Sequence, residues 1–410
     1  MKNVASILIL GLPMVTAAAG SLSLSQAEHI AIQQAPELKK IKAKSNALIQ
    51  TSVADARWQD PKLMAGVANL PTDSFSFTQE NMTQIQVGLS QQFPRGCSLS
   101  IKSLMDRLQA ASTQYQKSLM RLTILRTIRI EWLNTFYWLK AIKLYKKEQR
   151  LFSHLLSVNS KLLANNQLQQ KDVVRAQFEL SQSSQQLDYA KQQYEEAKSR
   201  LSQWLPIDQK YNFQLPHWSS PPPLLVMQQS MKEHPLLLSD KKKNQVSEQS
   251  IQLARQQYIP SVNLGMVYGI RQGDDNMGKR RSDFIGAQLS MDLPFFTRNR
   301  QTRRVRASED EYVSSQMQEV SDYRYLRSQL LENYSAWKRL LSQDLIYRKQ
   351  LVKEANYYVD STRIAYQNKQ TDFPTLARAY LSSYNTQLAA LKVHIGVLQA
   401  RANLLFLQGK

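Results

Sequence analysis

The chain has 410 residues with 53 basic and 32 acidic side chains, which gives a formal net charge of +21. Lys and Arg are spread along segments with helical periodicity and no nucleic-acid-binding motif occurs, so the charge predicts a solvated basic surface and argues against a nucleic-acid binder. The single cysteine, Cys97, excludes an intramolecular disulfide. The five histidines are far apart and no phosphate-binding glycine loop is present, so we expect no enzyme activity, resident metal or cofactor.

Residues 1–19 have the three regions of a secretory signal peptide. Lys2 is followed by an apolar run from Val4 to Val15 and then by the small residues Ala17 to Ala19. The run is shorter than the ~20 apolar residues that a spanning helix requires, and no other stretch approaches that length. We therefore expect an exported chain in which any membrane insertion uses strands.

The rest of the chain reads as two halves with the same plan. Several residues recur 199 or 200 positions later, namely Pro36 as Pro235, Pro61 as Pro260, Pro94 as Pro294 and Asp172 as Asp372. This offset predicts a duplicated module, with a first repeat at 20–205 and a second at 225–410. The prolines in 206–224 cannot continue a helix, so this segment is predicted to be a linker.

Each half is predicted to hold a pair of strands, near 60–93 and near 260–293, because apolar and polar residues alternate there with a period of two. A soluble half-buried hairpin would show the same alternation. The small uncharged polar side and the signal peptide favour membrane strands, whose length of 9 to 11 residues fits. The expected lipid-facing positions are Ile85, Val87, Leu89, Leu264, Met266 and Leu289.

Long helices follow each strand pair, predicted at 97–164 and 172–205 in the first half and at 297–366 and 372–408 in the second. The helix after Asp172 has a heptad pattern in which Ala176, Ser183, Ala190 and Ala197 recur every seven residues. Small residues in one seam allow two helices to approach closely. Each half is therefore predicted to contain a coiled-coil hairpin.

Four strands per chain predict assembly. An open four-stranded sheet in lipid would leave unpaired backbone groups at both edges, where no water can reach them. Two copies would give eight strands and a lumen filled by side chains, whereas three copies give twelve strands and begin to leave a channel. The strands therefore predict a trimeric 12-stranded β-barrel, in a chain whose long helices form coiled-coil hairpins.

This arrangement resembles the outer-membrane efflux proteins of the TolC family over essentially the whole mature chain. Local matches resemble the CzcC-like heavy-metal efflux branch most; they are Asp60-Pro61-Lys62-Leu63, Ala68-Asn69-Leu70-Pro71, Met82-Thr83, Gln91 to Gly96 and Leu293 to Arg300. The resemblance implies an α+β membrane protein in the outer membrane of a Gram-negative-type envelope. In it, the trimeric 12-stranded β-barrel is continued into the periplasm by a long α-helical coiled-coil tunnel. It also implies a homotrimer that works with a periplasmic adaptor protein and an inner-membrane pump.

The resemblance further implies roles for single residues. Pro94 and Pro294 would mark the turns from strand to helix. Family members often narrow the periplasmic mouth with acidic residues, and Asp372 falls on one such position; Thr375 and Asp172 complete the candidate aperture, although Thr375 is not acidic. Asp172 and Asp372 are also good candidates for helix N-caps, and one side chain can serve both purposes.

Three alternatives remain open at this stage. The duct could serve drug efflux or type I protein secretion, and the pump that acts with it would decide between them. A secreted basic coiled-coil protein without a channel is the rival from another class, and it would lack the four strands.

Methionines near the strands suggest copper ligands, but apolar packing is the simpler account; they are Met64, Met82, Met266 and Met291.

Overall fold

The computed structural model describes residues 22–206 and 211–410. The predicted signal peptide at 1–19 lies outside the described residues. Among the described helices, none has an apolar stretch of the length and hydropathy needed to cross a bilayer.

The first half begins with two helices, continues with two strands and ends with two long helices. Ser23 starts the first helix with a reciprocal capping box to Gln26, and Pro36 starts the second at a position where its missing N–H is not needed. The elements are α1 (Leu24–Gln34), α2 (Pro36–Ala54), β1 (Lys62–Ala68), β2 (Gln84–Phe93), α3 (Ser98–Ala164) and α4 (Gln170–Leu201).

The second half has the same order of elements, with one irregularity. They are α5 (Leu224–Ser230), α6 (Pro235–Arg255), β3 (Val262–Ile270), β4 (Phe284–Met291), α7 (Gln301–Ile346), α8 (Val352–Gln367) and α9 (Phe373–Leu407). A π-helical turn, Tyr347–Leu351, joins α7 to α8, whereas α3 runs without interruption.

The four strands form one antiparallel sheet in the order β1-β2-β3-β4. The central pairing joins the two halves, with Ile85 opposite Ile270 and Phe93 opposite Val262. Within the described residues, β1 and β4 are each paired on one side only. All four strands meet the helical part at the same end of the sheet, because β1 and β3 begin there and β2 and β4 end there.

The main apolar core lies where α1, α3, the linker and α9 meet. Trp132 is fully buried in it, and its indole N–H donates to the carbonyl of Gln214 at 3.0 Å. Arg129 pairs with Glu28 at 2.7 Å and donates to the backbone oxygen of Lys410 at 3.1 Å. The described part of the linker is therefore packed onto α3, and Arg129 links helices from the two ends of the chain.

The α3–α4 hairpin has the close seam that the heptad pattern predicted. Ala176, Ser183, Ala190 and Ala197 of α4 are all buried, and Gln149 of α3 donates to Ser184 at 2.9 Å. Small side chains let the two helix backbones approach, so the hairpin is narrow along its length. Glu179 lies on the same buried face and was not expected there.

Candidate functional site

The strand register separates the sheet into an apolar and a polar face. Leu89 lies opposite Met266, Val87 opposite Tyr268 and Leu264 opposite Leu289, and residues directly opposite each other share a face. All six positions that the sequence analysis selected lie on this apolar face. Val87, Leu89, Leu264, Met266 and Leu289 expose 44% to 61% of their surface, and Ile85 is half-buried. A contiguous exposed apolar surface of this kind marks an interaction site.

The opposite face is polar and uncharged along most of its length; its residues include Gln84, Gln86, Ser90, Gln92, Asn263, Gln288 and Ser290. At its helical end, a polar cleft of about 260 Å³ is lined by residues that include Ser90, Asn263 and Asp292. Gly88 on this face allows β3 to approach closely, because a Cβ there would lie 2.7 Å from the backbone oxygen of Met266. This face is suited to water.

The methionines near the strands do not form one set. The register places Met266 and Met291 on the apolar face and Met64 on the polar face. In the described ranges, 22–206 and 211–410, no group of three or more His, Cys, Asp and Glu residues is arranged to hold a metal ion.

A hydrogen bond and an ion pair hold the strand-to-helix junction of the first half to the second half. Pro94 follows the last residue of β2, and Gly96 then takes a positive φ of 45° before α3 begins. The amide of Cys97 donates to Gln256 Oε1 at 3.0 Å, and Arg95 pairs with Asp292 at 2.8 Å. Pro294 has the corresponding place between β4 and α7.

At the far ends of the long helices, Asp372 caps α9. Its Oδ1 accepts a hydrogen bond from the amide of Thr375 at 3.0 Å. Hydrogen bonds from the Thr375 side chain and backbone lower the pKa of Asp372 below its ordinary value. The carboxylate is exposed and ionised at neutral pH, and Thr375 stabilises it by donating hydrogen bonds to it.

Asp172 does not cap α4, so that prediction was wrong. The helix begins two residues earlier than predicted and its N-cap is Gln169, which places Asp172 in the first turn. An acidic residue there still interacts favourably with the helix dipole. Asp172 is buried, and its backbone oxygen accepts a hydrogen bond from Asn159 at 3.4 Å.

The structure brings the starts of α4 and α9 together. Ala176 of α4 packs with Phe373 and Ala377 of α9 in one apolar cluster that also contains Phe152. Asp172 and Asp372 therefore lie at the same end of the molecule, one buried and one exposed.

Buried acids inside the helical hairpins were missed by the sequence analysis. Glu148 of α3 is only 4% exposed and Glu179 of α4 only 2%. Burial, followed by repulsion from Glu179, raises the pKa of Glu148 to about 7. Arg175 pairs with Glu179 at 2.5 Å. A signal was present, because Glu148 lies between Ala141, Tyr145 and Phe152 at the spacing of one helix face.

A second buried acid lies next to the π-helical turn. Asp344 is almost fully buried at the end of α7, where Arg348 pairs with it at 2.5 Å. His394 Nδ1 of α9 lies 3.2 Å from Asp344 Oδ1. These contacts link α9 to the π-helical turn between α7 and α8.

We expect Glu148→Gln to change the pH dependence of stability. The pKa of Glu148 is raised in the folded state, so folding loses stability as pH rises from about 4.5 to about 7, by roughly 3 kcal/mol when complete. Glutamine stays neutral. The melting temperature of Glu148→Gln should exceed that of the wild type at pH 8 and approach it at pH 4.5. The exposed Glu195→Gln is the matched control, and equal pH profiles for Glu148→Gln and the wild type would contradict the assignment.

Comparison with known proteins agrees with this geometry. Residues 226–410 match the family model for outer membrane efflux proteins. No curated protein matches the chain. Similar solved structures include a membrane protein from Pseudomonas aeruginosa (TM-score 0.78, 13% identity, 94% of this chain and 93% of that chain). VceC from Vibrio cholerae is also similar, with a TM-score of 0.76, 14% identity, and coverage of 94% of this chain and 96% of that chain. The Campylobacter jejuni CmeC outer membrane channel has a TM-score of 0.76 and 14% identity, and the match covers 100% of this chain and 94% of that chain. The described chain therefore has the fold of these outer-membrane proteins, mostly helical with a small sheet, and its second half matches the outer membrane efflux protein family in sequence.

Proposed function

We propose that this protein is the outer-membrane channel of a tripartite efflux system and acts as a passive exit duct. The observation that carries the proposal is the sheet, which has one exposed apolar face, one polar face and two half-paired edges. The helix α3 adds to this, because its 67 residues span roughly 100 Å at 1.5 Å per residue. A duct of that length reaches from the outer membrane into the periplasm, where an adaptor and an inner-membrane pump would supply the energy.

Substitution of neighbouring residues on β3 tests the membrane assignment. Leu264 and Asn263 are adjacent but lie on opposite faces of the sheet. An arginine on a lipid face costs ~2 to 4 kcal/mol at the bilayer midplane. We therefore expect Leu264→Arg to reduce the assembled protein recovered from outer membranes well below the level of Asn263→Arg. Equal recovery of both variants would support a soluble half-buried hairpin instead of membrane strands.

The contact between the two halves suggests how copies assemble. Inside one chain, α3 packs against α6, and Ser112 Oγ lies 3.0 Å from Ser239 Oγ in a buried position. The repeat offset makes α7 the counterpart of α3 and α2 the counterpart of α6. Both counterparts carry exposed apolar residues, which are Val313, Met317 and Val320 on α7 and Ile49 and Val53 on α2. In the proposed trimer, α7 packs on α2 of the next copy as α3 packs on α6.

A disulfide across this interface tests the trimer. The counterparts of Ser112 and Ser239 are Tyr312 and Lys40. In a Cys97→Ser background, Lys40→Cys with Tyr312→Cys should give covalent dimers and trimers under oxidation, because a pair that approaches as closely as Ser112 and Ser239 can form a disulfide. Ser314 is two residues from Tyr312 and points to another side of the helix. Lys40→Cys with Ser314→Cys should therefore stay uncrosslinked, and equal crosslinking of both pairs would contradict the interface.

The cargo proposed for the duct is heavy-metal cations, from the resemblance to the CzcC-like branch and from the exposed Asp372. Three copies of Asp372 around the trimer axis would place three negative charges at the periplasmic mouth. At 4 Å each would attract a cation by ~1 to 4 kcal/mol, depending on the effective dielectric. Screening over ~8 Å would confine this preference to the mouth, within a protein that is otherwise basic.

Metal tolerance of cells tests the cargo and the aperture together. Cells that lack the gene should become more sensitive to heavy metals, and the wild-type gene should restore tolerance. Asp372→Asn should restore it incompletely while trimer yield stays normal, because asparagine still caps a helix. Unchanged metal tolerance together with loss of a secreted polypeptide would move the assignment to type I secretion. Full restoration by Asp372→Asn would leave Asp372 with the capping role alone.

A further inference from the structure

A cluster of arginines lies where the sheet meets the second pair of long helices. It consists of Arg298, Arg300, Arg303, Arg304 and Arg306, here called the arginine collar, and all five side chains are exposed. Among the described residues, no member of the collar forms a salt bridge. Glu309, one turn further along α7, is paired with Arg255 at 3.8 Å. Arg300 is close enough to Asp292 to interact with its charge, but Asp292 already pairs with Arg95 at 2.8 Å. The collar is therefore a local excess of positive charge.

The collar does not stabilise its own helix. It surrounds the start of α7, and the first turn of α7 contains no acidic residue. The N-terminal end of a helix has a partial positive charge and favours anions, so cations placed there are unfavourable by a few tenths of a kcal/mol or more. An external anion would relieve this repulsion.

Along the chain, exposed apolar side chains separate the end of β4 from the collar. Leu293, Phe295 and Phe296 expose 55%, 75% and 89% of their surface. At the same end of the sheet, Trp58 is exposed and packs edge-on against Phe93, with ring centroids 5.3 Å apart. Along the chain the order is aliphatic, aromatic and then cationic. A bilayer changes in the same order from hydrocarbon to interface to headgroup.

The first repeat indicates which arginines stay exposed when a helix packs on each side of α7. In the first half α3 is flanked by both α2 and α6, as α7 would be in the proposed trimer. There Ser100 and Leu104, the counterparts of Arg300 and Arg304, remain exposed, whereas Ser103, the counterpart of Arg303, is buried. Arg300 and Arg304 are one helical turn apart, and Arg304 also donates to Gln257 at 2.8 Å. Arg300 and Arg304 are therefore the collar residues that we expect to stay exposed once α7 has a helix on each side.

We propose that Arg300 and Arg304, next to Phe295 and Phe296, bind the phosphate groups of anionic phospholipids in the periplasmic leaflet of the outer membrane. This rests on the proposed function, because it requires the apolar sheet face to be in that membrane. Guanidinium groups bind phosphate oxygens in a bidentate manner, and nearby aromatic rings sit at the headgroup level. The contact fixes the depth of the sheet in the bilayer and the point where the helical duct leaves it.

The test compares lipids and matched charge variants in the purified full-length protein. Melting temperatures are measured in mixed micelles that contain phosphatidylglycerol or phosphatidylcholine. For the wild type, phosphatidylglycerol should raise the melting temperature more than phosphatidylcholine does, since a ligand of the folded state stabilises it. In Arg300→Gln/Arg304→Gln, the phosphatidylglycerol concentration that gives half of the melting-temperature shift should be at least about tenfold higher than in the wild type. Arg300→Lys/Arg304→Lys should keep only part of the shift, because lysine retains the charge but cannot bind phosphate in a bidentate manner.

The control removes the same charge far from the sheet. Lys146 and Arg150 are exposed and also one turn apart, roughly 70 Å along α3 from its start. Lys146→Gln/Arg150→Gln should respond to phosphatidylglycerol as the wild type does. Glycerol phosphate at equal concentration should give no comparable shift, which separates a lipid headgroup from a free phosphate.

Several results would overturn the lipid contact. One is a trimeric wild type with equal melting temperatures in the two lipids, and another is an equal loss of response in the Lys146→Gln/Arg150→Gln control. Dissociation of Arg300→Gln/Arg304→Gln trimers in both lipids would assign the arginines to a subunit interface instead. A wild type that remains monomeric would overturn the proposed channel as well, so failure of the two proposals can be told apart.

Discussion

The half-paired edges of the four-stranded sheet are the constraint on which the proposed architecture depends. β1 and β4 each pair on one side only within the described residues, while one face of the sheet exposes leucine, valine and methionine. An apolar face of this kind is stable in lipid only if the edges are closed, because unpaired N–H and C=O groups there cost several kcal/mol each. Closure by further copies would satisfy both requirements, and in the proposed trimer it would arrange the long helices that follow every strand pair around one axis.

The contacts between the two halves of one chain indicate how neighbouring chains can pack. The central β2–β3 pairing, the Arg95–Asp292 ion pair and the buried Ser112–Ser239 contact all join the first half to the second. Because the elements repeat in the same order, the exposed surfaces of α2 and α7 correspond to surfaces that are already packed inside the chain. The chain thus contains both partners of the interface that the proposed trimer would use.

Buried charges distinguish the helical hairpins from the four-stranded sheet. The sheet carries neutral polar groups on one face, whereas the helices bury Glu148, Glu179 and Asp344 in their seams. Buried ionisable groups are weak sources of stability, since desolvation offsets much of the attraction to a partner. Their placement between helices makes helix packing sensitive to the loss of a single ion pair, as at Asp344 next to the π-helical turn.

Features that depend on local pattern could be predicted from the order of residues alone. Alternation of apolar and polar residues located the strands and the six apolar-face positions, the small-residue heptad located the α3–α4 seam, and Asp372 before Phe373-Pro374 located a helix N-cap. Features that depend on contacts between distant segments required the tertiary structure. Asp172 is buried inside the first turn of α4, Glu148 has a raised pKa, and a π-helical turn follows Asp344. Burial and electrostatics at these positions are set by helices that pack from elsewhere in the chain, and a pattern of neighbouring residues contains no information about which helix that will be.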